Sequence, residues 1–157
     1  MKNFFILVAL FSLISFSGCS QKNPPDKVKK EFSQKFAAAN SVKWDSEKPN
    51  EWEAEFKING KEMSACFDDS GKWLESEAEV SAKELPAAVT NTLKNEFSGF
   101  KTKESSTIEN PEMKGFEFAL KNKETEITVI IGADGTVLKK EAAGENKEEA
   151  VNEKEEQ

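Results

Sequence analysis

The residues with the clearest potential for chemistry lie in two acidic segments that each contain a glycine. FDDSGKWLE occupies residues 67–75, and IGADGTVLK occupies residues 131–139, at an offset of 64 positions. Carboxylates beside a glycine can form a calcium loop, and a pair of carboxylates can act as the acid and base of a hydrolase. A third interpretation is a strand–turn–strand corner, in which the glycine adopts a positive φ angle.

The calcium interpretation fails in both segments. The glycine of an EF-hand is the sixth loop residue, and the first must offer an oxygen ligand. Counting back from Gly71 places Cys66 first, and counting back from Gly135 places Ile130 first. Aspartate or serine next to glycine is typical of a tight turn. We therefore predict two turns, with no metal site and no cofactor.

The composition restricts the possible functions further. The chain has 29 acidic and 22 basic residues, a net charge of −7, and neither histidine nor arginine. The commonest general base and metal ligand is thus missing, and nucleic-acid binding is disfavoured because it depends on cationic contacts to phosphates. Cys66 lies in the alternating run MSACF and is interpreted as a structural strand residue. We predict no catalytic residues, and a carboxylate-based hydrolase is the weaker alternative.

The beginning of the chain predicts export. A lysine at position 2 precedes the apolar run 4–16, which is too short to span a bilayer comfortably, so residues 1–18 are predicted to be a signal peptide. Cys19 directly follows Ser-Gly, and this arrangement is similar to a bacterial lipoprotein signal. The resemblance implies that Cys19 carries lipid and anchors the protein to a membrane of the cell envelope, with plain secretion as the alternative. Residues 19–26 would form the lipidated cysteine and a polar tether.

The remaining chain is predicted to contain one folded region and one tail. Residues 142–157 are strongly acidic with few apolar side chains, which predicts disorder. Within residues 27–141, a shift of 64 places EWEAEFKING on GFEFALKNKE without a gap. This self-similarity predicts two tandem repeats, 27–80 and 81–141.

Each repeat is predicted to be a helix followed by an antiparallel β-meander. The apolar residues Val28, Phe32 and Phe36 share one helical face. In the second repeat, Ser81 and Glu84 form the pattern of a helix-capping box. From residue 51 to 58, charged and apolar residues alternate, as expected for a strand of a sheet with one wet face. The predicted fold class is therefore α+β, with the helices packed on one face of the sheet.

The sequence favours a tight hairpin turn more strongly in the first repeat than at the matching place in the second. Asn59-Gly60 is a strong two-residue hairpin signal, whereas Lys123-Glu124 at the matching place is poorer turn chemistry. We expect a looser hairpin there.

A pattern of strand, turn and helix-start residues runs along the chain: Val42, Trp44, Phe56, Phe67, Asp68, Gly71, Trp73, Leu74, Glu75, Leu85, Pro86, Val89, Gly115, Phe116, Asp134 and Gly135. This pattern resembles the PepSY-like domains, also described as β-lactamase-inhibitor-like. The absence of tyrosine is a departure from that family, since Trp52 and Phe116 stand in strand places where tyrosine is common. The resemblance implies an α+β fold and an envelope location, and it implies no catalytic residues.

The favoured functional hypothesis is a non-catalytic module that binds or inhibits a protein partner of basic character. An acidic row on the free sheet face and two aromatic residues are the candidate partner-binding residues: Glu51, Glu53, Glu55, Trp44 and Trp73. The plainer interpretation is a solvated row and two core tryptophans. A small-ligand or ion-binding protein with a cleft at the repeat junction, near residues 79–85, is the alternative.

Overall fold

A computed structural model describes residues 23–46 and 48–142. The predicted signal peptide, Cys19 and residues 143–157 lie outside the described residues, so the predictions for them stay predictions. The helices are α1 (Asp26–Lys35) and α2 (Ala87–Glu96). The strands are β1 (Asn40–Asp45), β2 (Glu51–Ile58), β3 (Lys61–Asp68), β4 (Trp73–Glu79), β5 (Lys101–Glu109), β6 (Lys114–Lys121), β7 (Glu126–Ile131) and β8 (Val137–Ala142).

All eight strands form one antiparallel sheet in chain order, β1 to β8. The prediction of two tandem helix-plus-meander repeats is therefore wrong, although the class is α+β overall. Across the supposed junction, β4 pairs with β5, with Ser76 opposite Glu109 and Ala78 opposite Thr107. Two separate meanders would each leave an edge strand there with unpaired backbone groups, and the pairing satisfies them.

Helix α1 packs its apolar stripe on the first half of the sheet. Val28 and Phe32 are buried, and they contact the inward row of β2 and β3, including Phe56 and Phe67. The Phe32 and Phe56 rings meet edge to face, with centroids 5.0 Å apart. Such aromatic pairs add specific geometry to the burial of apolar area.

Helix α2 begins later than the capping pattern predicts. Ser81 does bond to Glu84 Oε2, through its backbone N–H at 2.8 Å and its hydroxyl at 2.7 Å, but these bonds lie in a turn before the helix. Pro86 is the N-cap residue, and α2 starts at Ala87. A residue that precedes proline is disfavoured in helical conformation, so Leu85 interrupts the helix that the pattern predicts. Val89 in the first turn of α2 and Phe97, its C-cap residue, are buried in the second half of the core.

Both helices lie on the same face of the sheet. Ala78 of β4 pairs with Thr107 of β5, which pairs with Phe116 of β6, so the side that faces the helices is continuous across the middle. We call the other side the helix-free face. Among the described residues, no helix is long and apolar enough to cross a membrane.

The turn interpretation of the two acidic segments is confirmed. Gly71 has a φ angle of 87° and Gly135 one of 90°. Asp68 Oδ1 accepts hydrogen bonds from the backbone N–H groups of Ser70 (2.8 Å) and Lys72 (3.0 Å). The first aspartate therefore closes the turn through its own side chain, as short polar side chains commonly do.

The two hairpins also differ as expected. At Asn59 and Gly60, φ is 52° and 79°, the positive values that a tight two-residue turn needs. The turn after β6 is instead held by Asn122, whose side-chain oxygen accepts bonds from the N–H groups of Glu124 (2.9 Å) and Thr125 (2.7 Å).

Candidate functional site

The predicted acidic row of β2 lies on the helix-free face. Glu53 stands opposite Cys66, and Glu55 stands opposite Ser64, because side chains of paired strands share a face at each register position. Glu55 is exposed and Glu53 half-buried. The side chain of Glu51 keeps 23% of its exposure and lies 4.0 Å from Lys48 Nζ.

The two candidate tryptophans lie on the opposite side of the sheet. Trp44 packs against the core with its ring 5.2 Å from the Phe32 ring, edge to face. Trp73 pairs with Phe67 across β3 and β4, and the Lys35 ammonium lies 3.6 Å from the Trp73 ring centroid. The sheet therefore separates both tryptophans from the glutamates. The five candidate residues cannot form one contact patch, and the tryptophans belong to the partly buried edge of the core.

Sequence reasoning missed three further carboxyl groups on the helix-free face, which we call the carboxyl row: Glu75, Glu77 and Glu117. Glu75 and Glu117 each keep only 6% of their exposure, and Glu77 is half-buried. Strand alternation within ESEAE and GFEFALK places them on this face, whereas the register shift between Cys66 and Phe67 puts Trp73 on the other face. That alternation was the available signal, but their burial depends on neighbours from other strands.

Ser106 of β5 lies between two members of the carboxyl row. Its hydroxyl donates a hydrogen bond of 3.2 Å to Glu77 Oε2, and its backbone position is directly opposite Glu117 of β6. Glu75 stands opposite Cys66, two residues before Glu77 on β4 and on the same face. The row therefore spans three adjacent strands on one face.

Two oxygen atoms of the carboxyl row are buried without a hydrogen-bond partner. They are Glu77 Oε1 and Glu117 Oε2. The apolar residues beside them are also buried: Ile108, opposite Glu77, is fully buried, and Ile130, opposite Glu117, keeps 1% of its exposure. Gly115 makes room for this packing, since a Cβ there would lie 3.0 Å from Ile130 Cγ2. Buried acceptors without donors are uncommon in native proteins.

Burial raises the pKa of all three carboxyl groups. Burial is the largest cause, and the charge of Glu77 adds to it, so the pKa of Glu75 rises to about 8. The pKa of Glu117 also rises to about 8, through burial and then the charges of Glu77 and Glu75. Burial raises the pKa of Glu77 to about 7, against the lowering effect of the Ser106 hydrogen bond. Desolvation penalises the charged form of each group.

This arrangement fits binding better than acid–base catalysis. Raised carboxyl pKa values are a feature that a hydrolase needs, but a catalytic pair requires two groups whose pKa values are pushed apart. Here all three move in the same direction. Burial and four glutamates also raise the pKa of the Cys66 thiol, which disfavours the reactive thiolate. Within residues 23–46 and 48–142, no three acidic or thiol side chains are gathered closely enough to hold a metal ion.

In the part of the chain that the structure describes, an eight-stranded antiparallel sheet with two helices on one face and an acidic opposite face defines a small α+β module, with no recognisable catalytic centre among these residues. The family model described as "Putative beta-lactamase-inhibitor-like, PepSY-like" matches residues 50–139. This match covers more than half of the chain, and the chain belongs to that family. The resemblance inferred from the sequence is thereby confirmed. No curated protein matches the chain.

Solved structures share the fold. A BLIP-like protein from Bacteroides fragilis is 18% identical, with a TM-score of 0.70 over 79% of this chain and 89% of its own. A DUF2874 family protein from Bacteroides uniformis is 20% identical, with a TM-score of 0.67 over 75% and 88%. A protein from Bacteroides eggerthii, described as a "putative periplasmic" protein, is 21% identical, with a TM-score of 0.67 over 77% and 90%. At these identities the likeness establishes the fold alone.

Proposed function

We propose that this protein is a non-catalytic module of the cell envelope that binds a protein partner with a basic surface through its helix-free face. The observation that carries the proposal is the concentration of carboxyl groups on this face, from Glu51, Glu53 and Glu55 of β2 to the carboxyl row. Both described helices pack on the other side.

Electrostatics favours a basic partner. The chain carries a net charge of −7, and complementary charge raises association rates and excludes partners of the wrong sign. The inhibitor-like description of the family supports inhibition as the form that binding takes, with the bound protein as the target.

The proposed location is the periplasmic side of the envelope. The periplasmic description of the Bacteroides eggerthii protein agrees with the predicted signal peptide over residues 1–18. A lipid on Cys19 would hold the module at a membrane surface, where two or more acyl chains give stable anchoring.

The test is a comparison of two triple variants with equal change in charge. The complete chain, Glu51→Gln/Glu53→Gln/Glu55→Gln, and the matched control Glu31→Gln/Glu96→Gln/Glu124→Gln would each be cross-linked in envelope preparations. The control residues are exposed and lie outside the helix-free face, on α1, on α2 and in the β6–β7 turn. We expect the first variant to lose roughly tenfold in partner capture, and the control to keep it, since each lost rim charge contributes up to about 1 kcal/mol.

Capture of the same partner by both variants with equal yield would refute binding through this face. Turnover of a peptide or glycan by the complete chain, abolished by Glu75→Gln or Glu117→Gln, would refute the non-catalytic assignment.

A further inference from the structure

We propose that the carboxyl row of Glu75, Glu77 and Glu117 is a recognition site for the guanidinium group of an arginine on the partner protein. This inference rests on the proposed function and deepens it, because it names the chemical group that the partner places on the helix-free face.

The first argument is the pair of unpartnered acceptors. Glu77 uses Oε2 to accept the Ser106 hydroxyl, while its Oε1 has no donor. On the other side of Ser106, Glu117 keeps 6% of its exposure and its Oε2 has no donor. An unsatisfied buried oxygen costs free energy, so two of them on one face indicate a donor that arrives from outside.

The second argument is the shape and hydration of the donor. A guanidinium group presents five N–H bonds in a planar fork and can serve two carboxylates at once. It is more weakly hydrated than an ammonium group, so its transfer to a buried site is less costly. The buried Ile108 and Ile130 beside the row exclude water, which strengthens the attraction between opposite charges.

The third argument is that this chain cannot supply the group itself. It contains no arginine. The lysines whose charges reach the row have other partners: Lys139 Nζ lies 2.7 Å from Glu141, and Lys48 Nζ lies 4.0 Å from Glu51. A guanidinium at the row must therefore come from another molecule.

Binding of arginine would displace protons from the row. Around Glu75, the facing charges are those of Glu77, Glu51, Glu53 and Lys48, and around Glu117 they are those of Glu77, Glu75, Lys139 and Glu141. Glu104 faces Glu77. Carboxylates outnumber ammonium groups in this set, so the free row favours the protonated state, and a bound cation would favour the ionised state.

The experiment is a carbon-13 NMR titration of the glutamate carboxyl groups in the complete chain, solubilised in a nonionic detergent. The probe is Nα-acetyl-arginine methylamide, and the control is the citrulline analogue, which has a similar shape and no charge. We expect the arginine probe to lower the titration midpoint of Glu77 or Glu117 by about one pH unit or more, and citrulline to leave it unchanged.

Two variants complete the test. Glu117→Gln keeps the size of the side chain but cannot ionise. The variant should therefore fold, and its affinity for the arginine probe should fall at least roughly tenfold. Glu96→Gln, on the exposed side of α2, should bind it as the parent does. A third probe, Nα-acetyl-lysine methylamide, carries the same charge without the planar fork. The proposal is overturned by equal effects of arginine and citrulline, by unchanged binding to Glu117→Gln, or by tighter binding of the lysine probe. It is also overturned by no response up to roughly 50 mM, which covers the millimolar affinity expected of so small a probe.

The inference and the proposed function fail in different ways. If partner capture survives the β2 triple variant while the arginine titration succeeds, the proposed function is refuted as stated, and the row still binds a guanidinium. If capture depends on β2 and Glu117→Gln captures the partner as well as the parent does, the proposed function stands and the inference is refuted.

Discussion

Thr92 of α2 donates a hydrogen bond of 2.6 Å from its hydroxyl to the carbonyl oxygen of Gly135, in the turn between β7 and β8. A Cβ at position 135 would lie 3.0 Å from both Ala88 O and Thr92 Oγ1. The acidic segment that could have been a calcium loop is thus a turn that docks a hairpin onto a helix.

Gly135→Ala should destabilise the protein for two reasons. The φ angle of 90° is strained for any side chain, and the added methyl group would press on the backbone of α2. We expect a loss of about 1–3 kcal/mol in the free energy of unfolding, measured by urea denaturation. The control is Gly99→Ala, where an added Cβ meets nothing within 4 Å. A loss for Gly135→Ala no larger than that for Gly99→Ala would contradict this role.

The carboxyl row should make the protein less stable as pH rises through neutrality. Glu75 and Glu117 have a pKa of about 8 in the folded state, against a usual value of 4.5, so between these values the folded protein binds more protons than the unfolded chain. The stability that these groups contribute is fully present below about pH 4.5 and is lost as pH rises to about 8. Over this range the free energy of unfolding should fall by on the order of a few kcal/mol.

Low pH should also destabilise the protein, through a different residue. Hydrogen bonds from Ser81 lower the pKa of Glu84 to about 2, so its contribution is present above about pH 4.5 and is lost as pH falls towards 2. The melting temperature should therefore peak near pH 4.5 to 5. In Glu75→Gln/Glu117→Gln the alkaline decline should flatten, whereas Glu96→Gln should keep it. A parent whose melting temperature rises from pH 5 to pH 8 would rule out this account.

Cys66 should be inert in the folded protein. It is buried on β3, and burial together with the neighbouring glutamates raises the pKa of its thiol. In a Cys19→Ser chain it is the single thiol, and we expect a disulfide reagent to modify it at least about a hundredfold faster after unfolding in urea than in the native state. Rapid native modification at pH 8 would show that the helix-free face opens readily at this point.

The same Cys19→Ser variant tests the predicted anchor. If Cys19 carries lipid, the parent should sediment with membranes, and the variant should appear in the soluble envelope fraction, because a chain without acyl groups lacks the buried CH₂ groups that hold it. Mass spectrometry of the parent should show an acylated N-terminal cysteine. A parent that is recovered unmodified and soluble would favour plain secretion.

Local patterns predicted the pieces of this molecule well. The alternation of β2, the apolar stripe of α1 and the positive φ angles of Asn59 and Gly60 depend on residues close together in the chain, and all are present in the structure. At Ser81, one of the two hydrogen bonds of a capping box is present, from the Ser81 backbone N–H to Glu84 Oε2, but Pro86 moves the start of α2 to Ala87. The local pattern therefore predicted one bond and misplaced the helix boundary.

Except at register shifts, such as the one between Cys66 and Phe67 that puts Trp73 and Glu75 on opposite faces, the sequence by itself determined which side chains share a face, because regular strands alternate them. It also determined the acidic character of the chain and the family. Only the tertiary structure decided that β4 pairs with β5, which joins the strands into a single sheet. That pairing brings Glu77 and Glu117 to opposite sides of Ser106 and buries them, since burial is a property of neighbours that are distant in the chain. The candidate site therefore became visible only with the complete sheet.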